Sequence, residues 1–315
     1  MSIENLNVIP NISNNTKYWI IRSGIESKYF EEFAIGSCIA IGWDRIDNIE
    51  GIRHITEIDY LKSIVLETYP ELERLTSTRS LARKISDISN KIFKFINELK
   101  IGDIIVTPGK DEVLIGEITG EPYKILDFTR KKRESYEEEL IGDLNKGRDV
   151  KWFKRINRND LEPNLKMMLG VYHGISHIQN SQVITEINRA IYSLYIQENE
   201  GHSIFKVKSQ EEVDFERYAY FIKSLQEIYT LLKPDYVNNK LSIKTNVQSP
   251  GPIEIIGDAD LINSMSVATA VYFRNDYAAL RTLSPTIQSK IVQFKELNPP
   301  EHEYEDYDFP CEGTY

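Results

Sequence analysis

FINELKIGDIIVTPGKDEVLIGEITGEPY, residues 95–123, is the stretch that decides the fold. It begins as the end of an amphipathic helix and turns at Gly102-Asp103, where glycine tolerates the positive φ that such corners need. The β-branched run Ile104-Ile105-Val106 then predicts a strand. Pro108-Gly109 breaks it, and Val113 to Ile118 predicts a return strand with Gly116 inside, a position that marks a bulge or the close approach of another backbone. A helix leading into a tight strand pair is the core of a small β-barrel.

Outward from this stretch, Lys17–Ser23 (KYWIIRS), Ser37–Trp43 (SCIAIGW) and Asp149–Ile156 (DVKWFKRI) read as further strands. Ser77–Leu99 reads as one long helix, with Leu81, Ile85, Ile88, Ile92, Phe95, Ile96 and Leu99 spaced by threes and fours along one buried face. Gly170–Ile178 predicts a strand or turn, and Thr185–Tyr195 a closing helix. After Asn199-Glu200-Gly201 a second pattern begins. It comprises a helix over Glu211–Leu232, strands over Leu241–Val247 and Ile253–Ile256 around Ser249-Pro250-Gly251-Pro252, and helices over Asp260–Leu280 and Ser284–Leu297. These boundaries give a flexible arm (1–15), a barrel domain (16–198), a smaller helix-rich α+β domain (199–297) for interaction, oligomerisation or an effector role, and an acidic tail (298–315).

Four segments in this order, Tyr18–Gly24, Ile39–Trp43, Phe95–Tyr123 and Arg148–Trp152, resemble the PUA-like barrel, related to EVE and YTH domains, at the N-terminus of Mrr-type restriction and prokaryotic defence proteins. The resemblance covers about residues 16–195 and implies an α+β fold: a mixed β-barrel with peripheral helices and a concave pocket. It implies recognition of nucleic acid, DNA ahead of RNA, through a flipped base, modified or unmodified, in an aromatic pocket, in an antiphage or restriction setting. Stacking on an aromatic ring returns roughly 1–3 kcal/mol of the few kcal/mol that flipping costs. The aromatic candidates are Trp19, Trp43, Trp152 and Tyr123. Arg22, Asn90 and Thr107 are the candidates for polar contacts. Strand alternation sends half the side chains inward, so packing claims at least one of Trp19 and Trp152. Trp43, following Gly42 at a strand end, is the first choice for a pocket, and Tyr123 the next. Asn90, within a helix, also reads as a solvent-facing residue.

Charge bears on the same question. The 315 residues carry a net charge of −10, which argues against an unfocused DNA binder. Residues 130–158 nevertheless hold ten bases against six acids. Lys131, Lys132, Arg133, Arg148, Lys151 and Lys154 there are the candidate phosphate contacts; the plain alternative is a solvated loop.

Catalytic motifs are missing from the sequence. Asp87 with Glu98-Leu99-Lys100 has the spacing of a nuclease metal site but lies along one helix, where the groups do not converge. His173 and His177 lack the HExxH context, and there is no Walker, GxSxG or GxGxxG pattern. No catalytic residue, metal or cofactor is expected. The alternative is a defence effector or nuclease in which the barrel senses a ligand and residues 199–315 act. The aromatic helix at 211–232 reads as core packing or as a homodimer face. No segment approaches the roughly 20 apolar residues of a membrane span, Cys38 and Cys311 form no framework, and a cytoplasmic location is expected.

Overall fold

The computed structural model describes residues 9–75, 78–125, 136–170, 174–207, 215–245, 253–300 and 307–308. The chain forms two compact units, one of residues 16–191 and one that joins 1–15 to 192–315. It opens with a short strand, β1 (Asn11–Ile12), that belongs to the second of these.

In the 16–191 unit the strands are β2 (Tyr18–Ile21), β3 (Cys38–Ile41), β4 (Ile104–Pro108), β5 (Glu112–Ile118), β6 (Tyr123–Lys124), β7 (Lys146–Asn157) and β8 (Ile175–Ile178). They form one curled half-barrel sheet in the order β3-β7-β5-β4-β2-β8, with β6 also on β7. Only β2 and β4 run parallel. The helices are α1 (Phe30–Gly36), α2 (Ile49–Arg53), α3 (Ile58–Thr68), α4 (Glu71–Leu75), α5 (Thr78–Phe93), α6 (Tyr136–Ile141), α7 (Pro163–Met168) and α8 (Ser181–Ile191).

The opening stretch explains the curl. The predicted single helix is α5 followed by a π-helical turn, Lys94–Glu98, which buries Phe95 and Ile96. At the corner, Gly102 takes φ 89°. Buried Asp103 fixes the turn by accepting from the Lys17 and Lys100 backbone N–H groups (3.1 and 2.9 Å) and from Trp19 Nε1 (2.9 Å). Gly116 sits at a β-bulge where β5 meets β7. A Cβ there would come within 2.5 Å of the Lys151 carbonyl and 2.7 Å of the Trp152 ring, so only glycine lets the strands close. The extra residue bends the long β7, whose first half pairs with β3 and whose second half pairs with β5.

The other unit adds β9 (Leu194–Gln197), β10 (Glu200–Val207), β11 (Leu241–Thr245), β12 (Ile253–Asp258) and β13 (Tyr307–Asp308) to β1, in the order β1-β9-β10-β12-β11 with β13 on β10. Its helices are α9 (Phe215–Leu232), α10 (Ala259–Arg274) and α11 (Pro285–Leu297). Asp258 caps α10 by accepting from Asp260 and Leu261 N–H, and Asn275 ends it in a left-handed conformation. Small residues bring α10 close to the sheet, and Ser266 Oγ donates to Ser203 Oγ at 2.9 Å. Phe221 of α9 packs edge-on against Phe205 at 5.5 Å. The apolar run Leu261–Phe273 is therefore a core helix. No helix among the described residues is long and apolar enough to cross a membrane.

Two domain expectations are corrected. Within the expected flexible arm, Asn11 and Ile12 pair in parallel with Ile196 and Gln197. The expected boundary at 198/199 falls inside a hairpin, with Gln197 paired to Glu200. Glu198 (φ 52°) and Asn199 (φ 67°) form its two-residue loop, the positive-φ pair of a type I′ turn. Of the expected tail, 301–306 and 309–315 lie outside the described residues.

Candidate nucleic-acid site

A cavity of about 390 Å³ opens in the 16–191 unit, within the roughly 300–1,000 Å³ range of small-ligand sites. Its floor is Ala40, Ile41, Gly42 and Trp43 at the end of β3. One wall is the Arg22–Ser27 segment after β2, with Ile175 of β8 beside it. The opposite wall is a stripe of α5, Lys84, Asp87, Ile88 and Lys91, which the helical period places on one face. Leu140, Ile141 and Leu144 complete an apolar interior with three cations and two carboxylates, Glu26 and Asp87, around it.

Backbone conformation singles out this cavity. The non-glycine residues with positive φ in the described part of this unit are Glu26 (53°), Ser27 (60°), Ser37 (47°) and Trp43 (58°). Ser37 is an ordinary left-handed end of α1. The other three line the cavity. For a bulky aromatic residue this conformation costs about 1–3 kcal/mol, and such strain concentrates at functional sites. Trp43 is held by its N–H to the Ile141 carbonyl and by its own carbonyl, which accepts from Ile46 N–H (2.9 Å) and Lys146 Nζ (3.0 Å). Its indole N–H is buried and has no hydrogen-bond partner. The Lys91 ammonium stands 5.7 Å from its ring centroid and 2.6 Å from Asp87.

Of the other aromatic candidates, none joins Trp43. Trp19 is buried and tied to Asp103. Trp152 is half-buried and donates its Nε1 to the Phe33 carbonyl at 2.9 Å. Tyr123 is exposed on β6 beside Gly147, and burial of its hydroxyl together with Asp149 pushes its pKa up to about 12. Among the polar candidates, Arg22 lines the cavity and donates to the Leu169 carbonyl at 2.8 Å. Thr107 is fully buried in β4, outside the cavity, and Asn90 is exposed off the lining stripe of α5.

Arg148 requires a correction. It is buried, and its guanidinium donates to the carbonyls of Phe95 (2.9 Å), Ile96 (3.1 Å) and Gly120 (3.3 Å). It closes the end of the π-turn and cannot reach a phosphate. Lys151 is exposed, with its ammonium 5.6 Å from the Phe153 ring, and Lys154 is half-buried. Lys131, Lys132 and Arg133 lie outside the described residues, as does His173.

Sequence reasoning missed Lys84, Lys91, Glu26 and Ser27. The i, i+3, i+4, i+7 spacing of 84, 87, 88 and 91 was the available signal. It was masked because Asp87 reads more readily with Glu98 and Lys100. Among the described residues, no cluster of three or more His, Cys, Asp or Glu side chains could hold a metal ion.

A larger groove of about 560 Å³ lies on the other side of the 25–27 segment. It is lined by Glu26, Glu31, Asp111, Glu112 and Glu138 against Lys28 and Lys110. Four of its charges are engaged in pairs, Lys28–Glu138 at 2.8 Å and, through Arg155, Glu31 (2.6 Å) and Glu112 (2.5 Å). The Arg155 hydrogen bond lowers the Glu112 pKa. Such a carboxylate rim repels phosphate, so the smaller cavity is the candidate site.

A family model described as "Domain of unknown function (DUF8426)" matches residues 19–169, a span that holds Arg22, Trp43, Lys84 and Lys91. No curated protein and no solved structure matches the chain.

Proposed function

We propose that the protein is a non-catalytic nucleic-acid reader whose 16–191 unit, a PUA-like barrel of the EVE/YTH type, accepts a flipped and modified base of DNA against Trp43. The observation that carries this is the strained tryptophan at the floor of an apolar cavity flanked by cations. A base entering the cavity takes the place of the Lys91 ammonium on the indole face and recovers stacking energy. Arg22, Lys84 and Lys91 then lie near the sugar-phosphate flanks, where Asp87 and Glu26 limit non-specific attraction. The four-segment resemblance is the support for a prokaryotic restriction or antiphage context.

The test is titration of the full chain, at low salt, with duplexes carrying unmodified bases, methylated or hydroxymethylated cytosine, or methylated adenine, and with matching RNA. Binding that prefers one modified duplex and weakens about tenfold or more in Trp43→Ala is the expected result. Failure to bind any of them refutes the proposal. Metal-dependent degradation of a plasmid, lost on removing 199–315, would instead favour an effector.

A further inference from the structure

Lys146 opens β7 opposite Ile41 of β3, immediately before the chain reaches Gly42 and Trp43. It has no solvent exposure. A lysine is almost never fully buried unless its ammonium is paired, and this one is spent on the tryptophan's backbone. Nζ donates to the Trp43 carbonyl at 3.0 Å and to Asn145 Oδ1 at 2.7 Å. The charged groups that act on it are Asp44 and Asp47, from the loop that follows Trp43, and Lys124 of β6, itself bound to Asp47 at 2.5 Å. The ammonium meets a peptide held in a conformation that tryptophan does not favour. Trp43 is pinned from both ends: its N–H by Ile141, its carbonyl by Lys146 and Ile46.

We propose that Lys146 is a positioning residue that sets the Trp43 indole at the cavity floor through the Trp43 carbonyl, so that its protonation state governs ligand affinity without touching the ligand. The consequence for affinity rests on the base-binding proposal above; the coupling between Lys146 and Trp43 does not. Burial outweighs the two carboxylates and brings the Lys146 pKa down to about 7. Below that pH the hydrogen bond to Trp43 is charge-assisted, and such bonds are about twice as strong as neutral ones. Above it the amine still reaches both acceptors, but its hold is weaker.

The experiment follows the unliganded full chain labelled with 5-fluorotryptophan, by fluorine NMR between pH 5.5 and 9. The three signals belong to Trp19, Trp43 and Trp152, and Trp43→Phe identifies the second. The Trp43 signal is expected to titrate with a midpoint near 7, and to stop titrating in Lys146→Met and in Lys146→Arg, which stays charged across the range. A Trp43 signal in the native chain that does not move, or one that moves equally in a folded Lys146 variant, overturns the proposal; the first of these needs no variant. In parallel, affinity for the preferred modified duplex is measured at pH 6 and 8.5. About fivefold weaker binding at pH 8.5 is expected for the native chain and no change beyond the duplex's own for Lys146→Met. A titrating Trp43 signal with no DNA binding at either pH supports the coupling and refutes base binding.

Discussion

Replacing Arg148 by methionine tests whether this buried cation is structural. The side chain keeps its apolar stem, so the core loses little volume, but three carbonyls lose their donor. Two of them, Phe95 and Ile96, lie in the last helical turn before the chain leaves the helix, where no further N–H is supplied. Hydrogen bonds to a charged group contribute about 1.5–3 kcal/mol each. Against them stands the desolvation of the guanidinium, which lowers its pKa from 12.5 to about 10, a penalty of about 3 kcal/mol. The bonds outweigh the penalty, and Arg148→Met should destabilise the 16–191 unit by about 2–5 kcal/mol. All three tryptophans fall in that unit, so urea unfolding followed by tryptophan fluorescence reports it alone. Where the variant remains folded, the salt dependence of DNA binding should match the native chain. A loss below about 1 kcal/mol, or a shallower salt slope in the folded variant, would refute the structural role and restore Arg148 as a phosphate contact.

Trp43→Gly and Trp43→Ala both lose a buried core side chain and should destabilise the unliganded unit, but Trp43→Gly by about 1 kcal/mol less, since only glycine relieves the φ 58° conformation, while both lower modified-base affinity; urea midpoints and titration check both. Lys146 binds its proton less tightly folded (pKa about 7) than unfolded (10.5). The unfolded chain therefore holds the extra proton between those values, and stability should rise with pH from 7 towards 10 by on the order of 2–4 kcal/mol. Burial lifts Tyr18 and Tyr69 to about 12, so stability should turn down above pH 10. Lys146→Met should flatten the rising limb, as urea midpoints across pH will show. In the other unit, Glu254 is fully buried and bonds His202 Nδ1 at 2.8 Å, with Tyr195 stacked on the imidazole at 4.5 Å. Glu254→Ala strands these polar groups and should destabilise that unit by about 2–4 kcal/mol, measured by near-ultraviolet circular dichroism or hydrogen exchange.

The strands around the opening stretch were legible because β-branched runs and the Gly102 and Gly116 breaks are local signals. Trp43 was singled out because it stands at a strand end, where a side chain is expected to be open; it lines the cavity but is buried, in a positive-φ conformation that the sequence does not signal. Trp19 and Trp152 were not legible, since a period of two gives two faces without saying which is inside. Arg148 and Lys146 were misread or overlooked because a basic residue is read as exposed. Their burial depends on carbonyls contributed by residues some fifty to a hundred positions away. The break between α5 and its π-turn has no signature in an otherwise regular apolar spacing. The hairpin at Glu198-Asn199 looks like a linker because turn residues and linker residues share a composition.

The pairing of β1 with β9 has a consequence for how the protein is made. Ile12 meets Gln197 across about 185 intervening residues. At roughly 5–20 residues per second, the ribosome needs roughly 10–40 s to deliver the second strand after the first. Throughout that interval the apolar Ile9 and Ile12 side chains have no β9 to pair beside, while all of the 16–191 unit is delivered. Synthesis thus delivers the half-barrel sheet before the unit that flanks it in sequence can be closed, and a chain begun at residue 16 would leave the β9 edge open to a strand from another molecule.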